Sequence, residues 1–310
     1  MNCLVLGGAG FIGSNLCAFL QSQKFNVTGF DLPREVWPDF SGVRWLPGDL
    51  SDISTLAPFL ADADVVVHLV SATLPQNSNE NPLLDLQANV AATLGLLDVL
   101  CRLNRPPRLI FLSSGGTVYG IPQSLPLRED HPTNPLCAYG VGKLAIEKYL
   151  ALYNHLHGLD YRILRLANPY GEKQPAGRRQ GVIPVFLRHA LSDEPLEIWG
   201  DGTVVRDYFH VEDLSRAIFA AIHYNGHQRI FNIGSGEGHS LNELIEKIGS
   251  LLGQSISCQF FPARPCDVPV NILDIHRACH ELGWRPLIPL DEGLRRTLSW
   301  LRCQITSAPI

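Results

Sequence analysis

Tyr139-Gly-Val-Gly-Lys143 sets a phenol and a primary amine four residues apart, a spacing that puts both on one helix face. A tyrosine flanked by an ammonium can exchange a proton with a substrate hydroxyl once its pKa drops from the ordinary value of about 10. Bringing it near neutrality takes differential stabilisation on the order of 4 kcal/mol. A lysine together with a cationic cofactor ring in a closed pocket could supply that. Tyr139 then acts as general base and, on the return step, as general acid. The pair follows a serine-rich strand end, Ser113-Ser114.

A second group opens the chain. A hydrophobic run ends at Leu6 and is followed by Gly7-Gly8-Ala9-Gly10-Phe11-Ile12-Gly13. Gly7, Gly10 and Gly13 fit GxxGxxG, whereas Gly8, Gly10 and Gly13 fit GxGxxG, and the doubled glycine leaves both readings open. The chemistry is the same in either case. Without Cβ atoms, backbone amides can approach a pyrophosphate at a helix N-terminus, and the segment from Gly7 through Phe11 and Ile12 to Gly13 is expected to line it. Asp31 ends the second β-rich run 18 residues after Gly13, where a carboxylate bonds a ribose 2′-hydroxyl and repels a 2′-phosphate. NAD is therefore expected rather than NADP, despite nearby Arg34. Asp49 and Leu50 fall where the adenine would lie, and Leu69 to Thr73, Ser71 among them, would run along the cofactor.

These residues need elements to hold them. Runs at Asn2–Leu6, Asn26–Phe30, Val43–Pro47, Val65–Leu69, Leu109–Ser113 and Tyr161–Arg165 read as strands. Gly13–Gln23, Ser54–Leu60, Leu83–Leu103 and Tyr139–Leu156 between them read as helices. Hydrophobic strands alternating with helices imply a doubly wound parallel sheet of the Rossmann type, covered on both faces. From about Pro169 the texture changes. Residues 169–181 read as a loop, followed by a helix (Ile183–Leu191), a hairpin-like stretch (Leu196–Asp207), a helix (Glu212–Asn225) and a strand (Arg229–Ile233). Ser240–Leu252, Asp274–Leu282 and a final amphipathic helix at Leu290–Leu301 complete a smaller α/β lobe. The expected division is 1–168 for the cofactor domain, with 205–233 returning to it, and 169–204 plus 234–310 for the substrate lobe.

Composition narrows the class further. The 310 residues are 45% hydrophobic and 18% charged, which excludes a disordered chain. A formal charge of −5 argues against nucleic-acid or anionic-membrane partners. The most apolar run, Val65–Val70, is strand-sized, so no membrane span is expected, and a strand at the N-terminus leaves no room for a signal peptide. Eight scattered cysteines without a CxxC pair read as reduced thiols of a cytoplasmic protein. No metal is expected: His155 and His157 lack partners, and Cys279-His280 lacks two further ligands at useful spacing. His68 reads as a core histidine, the five tryptophans as packing, and Arg178-Arg179 as a solvated loop within reach of phosphate.

The chain resembles the extended short-chain dehydrogenase/reductases, and among them the NAD-dependent nucleotide-sugar epimerases and dehydratases. GGAGFIG (7–13), GDL (48–50), SSGGTVYG (113–120), YGVGK (139–143), LRLANPYG (164–171), RDYFHVEDL (206–214), LGW (282–284) and EGL (292–294) carry the resemblance, which is greatest to UDP-glucose/UDP-galactose 4-epimerases. It implies that Asn89 touches the nicotinamide side, and that Asn168, Arg206 and Arg264 hold a sugar diphosphate, for which forked guanidinium donors suit. It also implies a UDP-hexose substrate and a homodimer built on the helices at Leu83–Leu103 and Tyr139–Leu156. Gly115 stands where the family carries a catalytic Ser/Thr, so the hydroxyl falls to Ser114 first, Thr117 second, or to the substrate's surroundings. Family dehydratases have an Asp-Glu pair where this chain has Gly116 and Thr117, which can neither protonate a leaving hydroxyl nor remove a C5 proton. Asn271 replaces a bulky aromatic associated with exclusion of 2-N-acetyl sugars. The reading is a nucleotide-sugar 4-epimerase; the alternatives are a reductase on the same scaffold or a non-catalytic NAD-binding protein.

Overall fold

The computed structural model describes residues 1–73, 78–175, 181–263 and 268–307. In chain order the elements are β1 (Asn2–Leu6), α1 (Phe11–Ser22), β2 (Asn26–Asp31), β3 (Arg44–Pro47), α2 (Ala57–Asp62), β4 (Val65–His68), α3 (Pro82–Asp85), α4 (Ala92–Arg102), β5 (Arg108–Ser114) and α5 (Ala138–His157). There follow β6 (Tyr161–Leu166), β7 (Asn168–Tyr170), α6 (Val182–Leu191), β8 (Leu196–Trp199), β9 (Val205–His210), α7 (Val211–His223) and β10 (Ile230–Ile233). The last are β11 (Gly238–Ser240), α8 (Leu241–Leu252), β12 (Cys258–Phe261), β13 (Val270–Asn271), α9 (His276–Glu281) and α10 (Leu290–Ser307).

The seven-stranded sheet runs β10-β6-β5-β4-β1-β2-β3 with every pairing parallel. Such strands are buried on both faces, which is why Val65–His68 and Tyr161–Leu166 are buried at every position. One face is closed by α1 and α7 through Val5, Leu16, Leu20, Leu214 and Ile218; the other by α2, α4 and α5 through Leu4, Leu60, Leu96, Leu100 and Leu150. A third core, with Phe186, Leu187, Ile198, Leu244 and Leu298, belongs to the lobe.

Several expectations are corrected. Residues 168–170 form a strand rather than the start of a loop, pairing in parallel with β9. The hairpin-like stretch is no hairpin: β8 pairs in parallel with β12, while β9 lies at the centre of a separate small sheet with β7, β11 and β13. Phe209, Leu214, Ile218 and Phe231 pack into the large-sheet core, and Leu273, Ala278 and Trp284 join them from further along the chain. The short strands β11, β12 and β13 give too little alternation to be read from sequence. One continuous helical run, Pro82–Arg102, does reach the 21-residue length and apolar composition of a membrane span, contrary to expectation. Its Leu96, Leu97 and Leu100 are fully buried in the large-sheet core, and a π-helical segment, Leu86–Ala91, interrupts it.

Candidate functional site

In open parallel sheets ligands gather beyond the carboxyl ends of the strands. Here those ends carry Gly7, Asp31, Leu69 and Ser114. Gly7 sits at φ +80°, and its amide and that of Gly8 donate to Phe30 O at 2.8 and 3.1 Å, drawing the turn against β2. Gly13 is irreplaceable on steric grounds: a Cβ there would stand 2.1 Å from Gly7 O. Helix α1 starts at Phe11 with no side chain capping its first amides, so Phe11 and Ile12 head a helix terminus open to an anion.

Asp31 faces this turn. Its carboxylate accepts from Ala9 N at 2.9 Å and Leu32 N at 2.8 Å, and Arg34 pairs with it at 3.2 Å while also donating to Ala9 O. Arg34 is thus engaged by the acid itself. The glycine cradle, the open helix end and the carboxylate together fit the diphosphate and ribose of a dinucleotide. Asp49 is held by Ser51, whose amide and hydroxyl both donate at 2.8 Å and keep its carboxyl below the ordinary range; Leu50 is buried beneath it. Leu69 lies against Gly7, and Ser71 donates to Thr73 O at 3.0 Å.

The π-helical segment turns Asn89 inward. Its Oδ1 accepts from Ala72 N at 2.8 Å and its Nδ2 donates to Thr73 Oγ1 and Asp85 Oδ1, both at 3.1 Å. Thr93 Oγ1 donates to Asn89 O at 2.6 Å and lies 3.0 Å from His68 Nε2, so His68 is buried in the core with one ring nitrogen partnered, while its Nδ1 has no partner among the described residues. Burial pulls His68 down to about 3, so it is neutral near pH 7.

Helix α5 begins at Ala138, whose amide is capped by Asn79 Oδ1 at 2.8 Å. Tyr139 and Lys143 share its inner face, with Lys143 Nζ 5.6 Å from the Tyr139 ring centre and donating to Leu112 O at 3.0 Å. Burial draws the Lys143 ammonium down to about 8, against the pull of Asp85 and Glu147. Burial instead pushes the Tyr139 phenol up, with Cys137 and Asp85 adding to the rise and a hydrogen bond from Ser114 opposing it. The groups around it therefore hold the proton on Tyr139.

Ser114 closes β5, and the amides of Thr117 and Val118 turn back to its carbonyl at 3.3 and 3.0 Å. Its hydroxyl is the one that meets Tyr139. Among the described residues, Thr117 Oγ1 is buried and without a partner. At Gly115 a Cβ would approach Leu273 Cδ1 to 2.7 Å and Leu166 O to 3.2 Å, so the missing family hydroxyl is coupled to a leucine that fills its room.

The small sheet assembles the remaining candidates. Asn168 on β7 is the register partner of Tyr208 on β9, and Asn271 on β13 that of Arg206, so neighbours across strands share one face. Asn168 Nδ2 donates to Asp207 O at 3.1 Å, and Arg206 to Val268 O at 2.6 Å. Asn271 is 1% exposed and donates to Gly115 O at 3.0 Å, tying this sheet to the Ser114 turn. Arg264, Arg178 and Arg179 lie outside the described residues. Among the described residues no cluster of three or more His, Cys, Asp or Glu could hold a metal. Asp85 and Leu273 are not singled out by the sequence reading. The Asp85–Asn89 spacing of i to i+4 was the one available signal, and it was masked by the surrounding leucines.

The family model for the NAD-dependent epimerase/dehydratase family matches residues 3–234. A putative UDP-glucose 4-epimerase of Methanocaldococcus jannaschii is 35% identical, covering 96% of this chain and 98% of its own. A dTDP-4-dehydro-6-deoxyglucose reductase of Escherichia coli is also 35% identical, over 97% of this chain and 98% of its own. Among solved structures, the UDP-glucose 4-epimerase of Thermotoga maritima with UDP-glucose superposes with a TM-score of 0.93 at 31% identity, covering 98% of this chain and all of that one.

Proposed function

The chain belongs to the NAD-dependent epimerase/dehydratase family, and from that premise we infer that it is a nucleotide-sugar 4-epimerase, inverting C4 of a UDP-hexose through a 4-keto intermediate. The observation that carries this reading is the Ser114–Tyr139–Lys143 arrangement, with Gly116 and Thr117 beside it offering no second acid and base. NAD, when bound there, would supply a reversible hydride acceptor for the sugar's C4. Gly7, Gly10, Phe11, Ile12 and Gly13 would hold its diphosphate, Asp31 its ribose, and Asn89 would face the nicotinamide side.

Tyr139 takes the proton of the sugar 4-hydroxyl and gives it back after the keto ring has turned over. Ser114 orients that hydroxyl, with Thr117 as second choice. Lys143 lends positive charge to the phenolate. Asn168, Arg206 and Arg264 would grip the diphosphate while leaving the hexose free to turn. Asn271, smaller than an aromatic, leaves room for a 2-N-acetyl group, so UDP-N-acetylglucosamine should also be converted; an inert N-acetyl sugar beside a rapidly converted UDP-glucose would refute this. We also expect a homodimer through the helical run Pro82–Arg102 and α5, and a cytoplasmic setting consistent with the scattered cysteines.

Incubation with UDP-glucose or UDP-galactose, followed by NMR of H4, tests the reaction: axial and equatorial signals should interconvert without added cofactor. A second reading, a nucleotide-sugar reductase, draws on Gly115 and the E. coli relative. It requires stoichiometric loss of reduced nicotinamide absorbance with a 4-keto sugar, which an epimerase does not show.

A further inference from the structure

Two carboxylates, Glu147 and Asp85, hold the proton on Lys143, and they differ in kind. Glu147, one turn along α5, is already neutralised: Arg165 reaches it at 2.6 and 3.1 Å, and Ser113 donates to it at 2.5 Å. Asp85, at the end of α3, is 2% exposed, and the partners of its Oδ1 are the Thr73 hydroxyl and the Asn89 amide, both neutral. Among the described residues no cation is ion-paired with it at contact distance. Its Oδ2 lies over α5: a Cβ on Gly142 would stand 3.1 Å away, between Tyr139 and Lys143 in the chain. A buried carboxylate with only neutral partners is costly, and keeping its charge calls for a nearby cation.

We propose that Asp85 is a positioning residue for the acid–base pair: its carboxylate is the counter-ion of the Lys143 ammonium and, through Thr73 and Asn89, fixes α5 relative to the nicotinamide side of the cofactor site. This rests on reading Tyr139 and Lys143 as that pair. The other groups around them are His68 from β4, which is neutral, Ser114 from β5, and Cys137 and the Arg165-paired Glu147 from α5. Asp85 favours the proton on both Lys143 and Tyr139. Removing its charge therefore lets both groups lose their protons at lower pH.

Asp85→Asn preserves the shape and the contacts to Thr73 while removing the charge. In the NAD-loaded protein, ultraviolet titration of tyrosinate, with Tyr139→Phe subtracted, reads the phenol directly, and the pH–rate profile of epimerisation reads the coupled pair. We expect the Tyr139 titration and both limbs of the profile to move to lower pH by about one unit, with NAD still bound and Asp85→Glu partly restoring the profile. An unmoved titration and profile, with only the melting temperature or KM altered, would make Asp85 merely structural and overturn the proposal. Should the wild-type protein show neither Tyr139-dependent turnover nor a Tyr139 titration, the pair itself has been misread. The first result leaves wild-type activity intact and the second does not, so the two failures are distinguishable.

Discussion

Burial of its hydroxyl, with Cys137 and Asp85 beside it, holds the proton on Tyr139, so on the proposed mechanism activity near neutrality would need Ser114, Lys143 and an oxidised nicotinamide to act together against them. Ser114 opposes the rise in the phenol's pKa, whereas among the described residues Thr117 Oγ1 is buried and unpartnered. Ser114→Ala should then cost about 1.5–3 kcal/mol of a charge-assisted bond, or roughly 10- to 100-fold in turnover. Thr117→Val should be nearly neutral; the opposite ranking in initial rates would move the hydroxyl role to Thr117. Lys143 carries its charge below about 8 and loses it above. Turnover should fall as pH rises through that value, and a profile flat to pH 9 in buffers of equal ionic strength would remove the lysine from the proton chemistry.

At the scale of elements, the turn between β1 and α1 tolerates no change at Gly13. The would-be Cβ meets backbone at 2.1 Å, and no flexible side-chain end can yield. Gly13→Ala should abolish NAD retention and destabilise the fold by about 1–3 kcal/mol, seen as loss of bound cofactor and a lower melting temperature. Helix α5 was readable because its Tyr139–Lys143 pair and apolar spacing agree on one face. The π-helical segment was not, because Asp85, Leu86 and Asn89 fit an ordinary helix equally well until packing against α5 widens that turn.

For the molecule as a whole, the face left open by α3 and α5 is apolar where a monomer would be polar. Leu83 and Leu86 are 64% and 52% exposed, and Val141, Leu152 and Leu156 line one stripe of α5 at 54%, 44% and 59%. A second copy would bury that stripe against itself about a two-fold axis. Leu152→Glu with Leu156→Glu should convert a dimer to monomer in analytical ultracentrifugation, while an unchanged sedimentation coefficient would place the contact elsewhere.

The glycine turn, Asp31, the Tyr139–Lys143 pair and the order of strands and helices in the first 166 residues were determined by the sequence alone. Each rests on chemistry local to a few residues: a missing Cβ, a helical repeat, a hydrophobic run. What the tertiary structure decided depends on residues far apart in the chain. It paired β8 with β12 rather than with β9, brought Asn168, Arg206 and Asn271 onto one small sheet, set Leu273 into the room a hydroxyl residue would need at Gly115, and carried Asp85 to α5. No short-range pattern encodes such meetings, because they are fixed by which surfaces bury one another once the whole chain has closed.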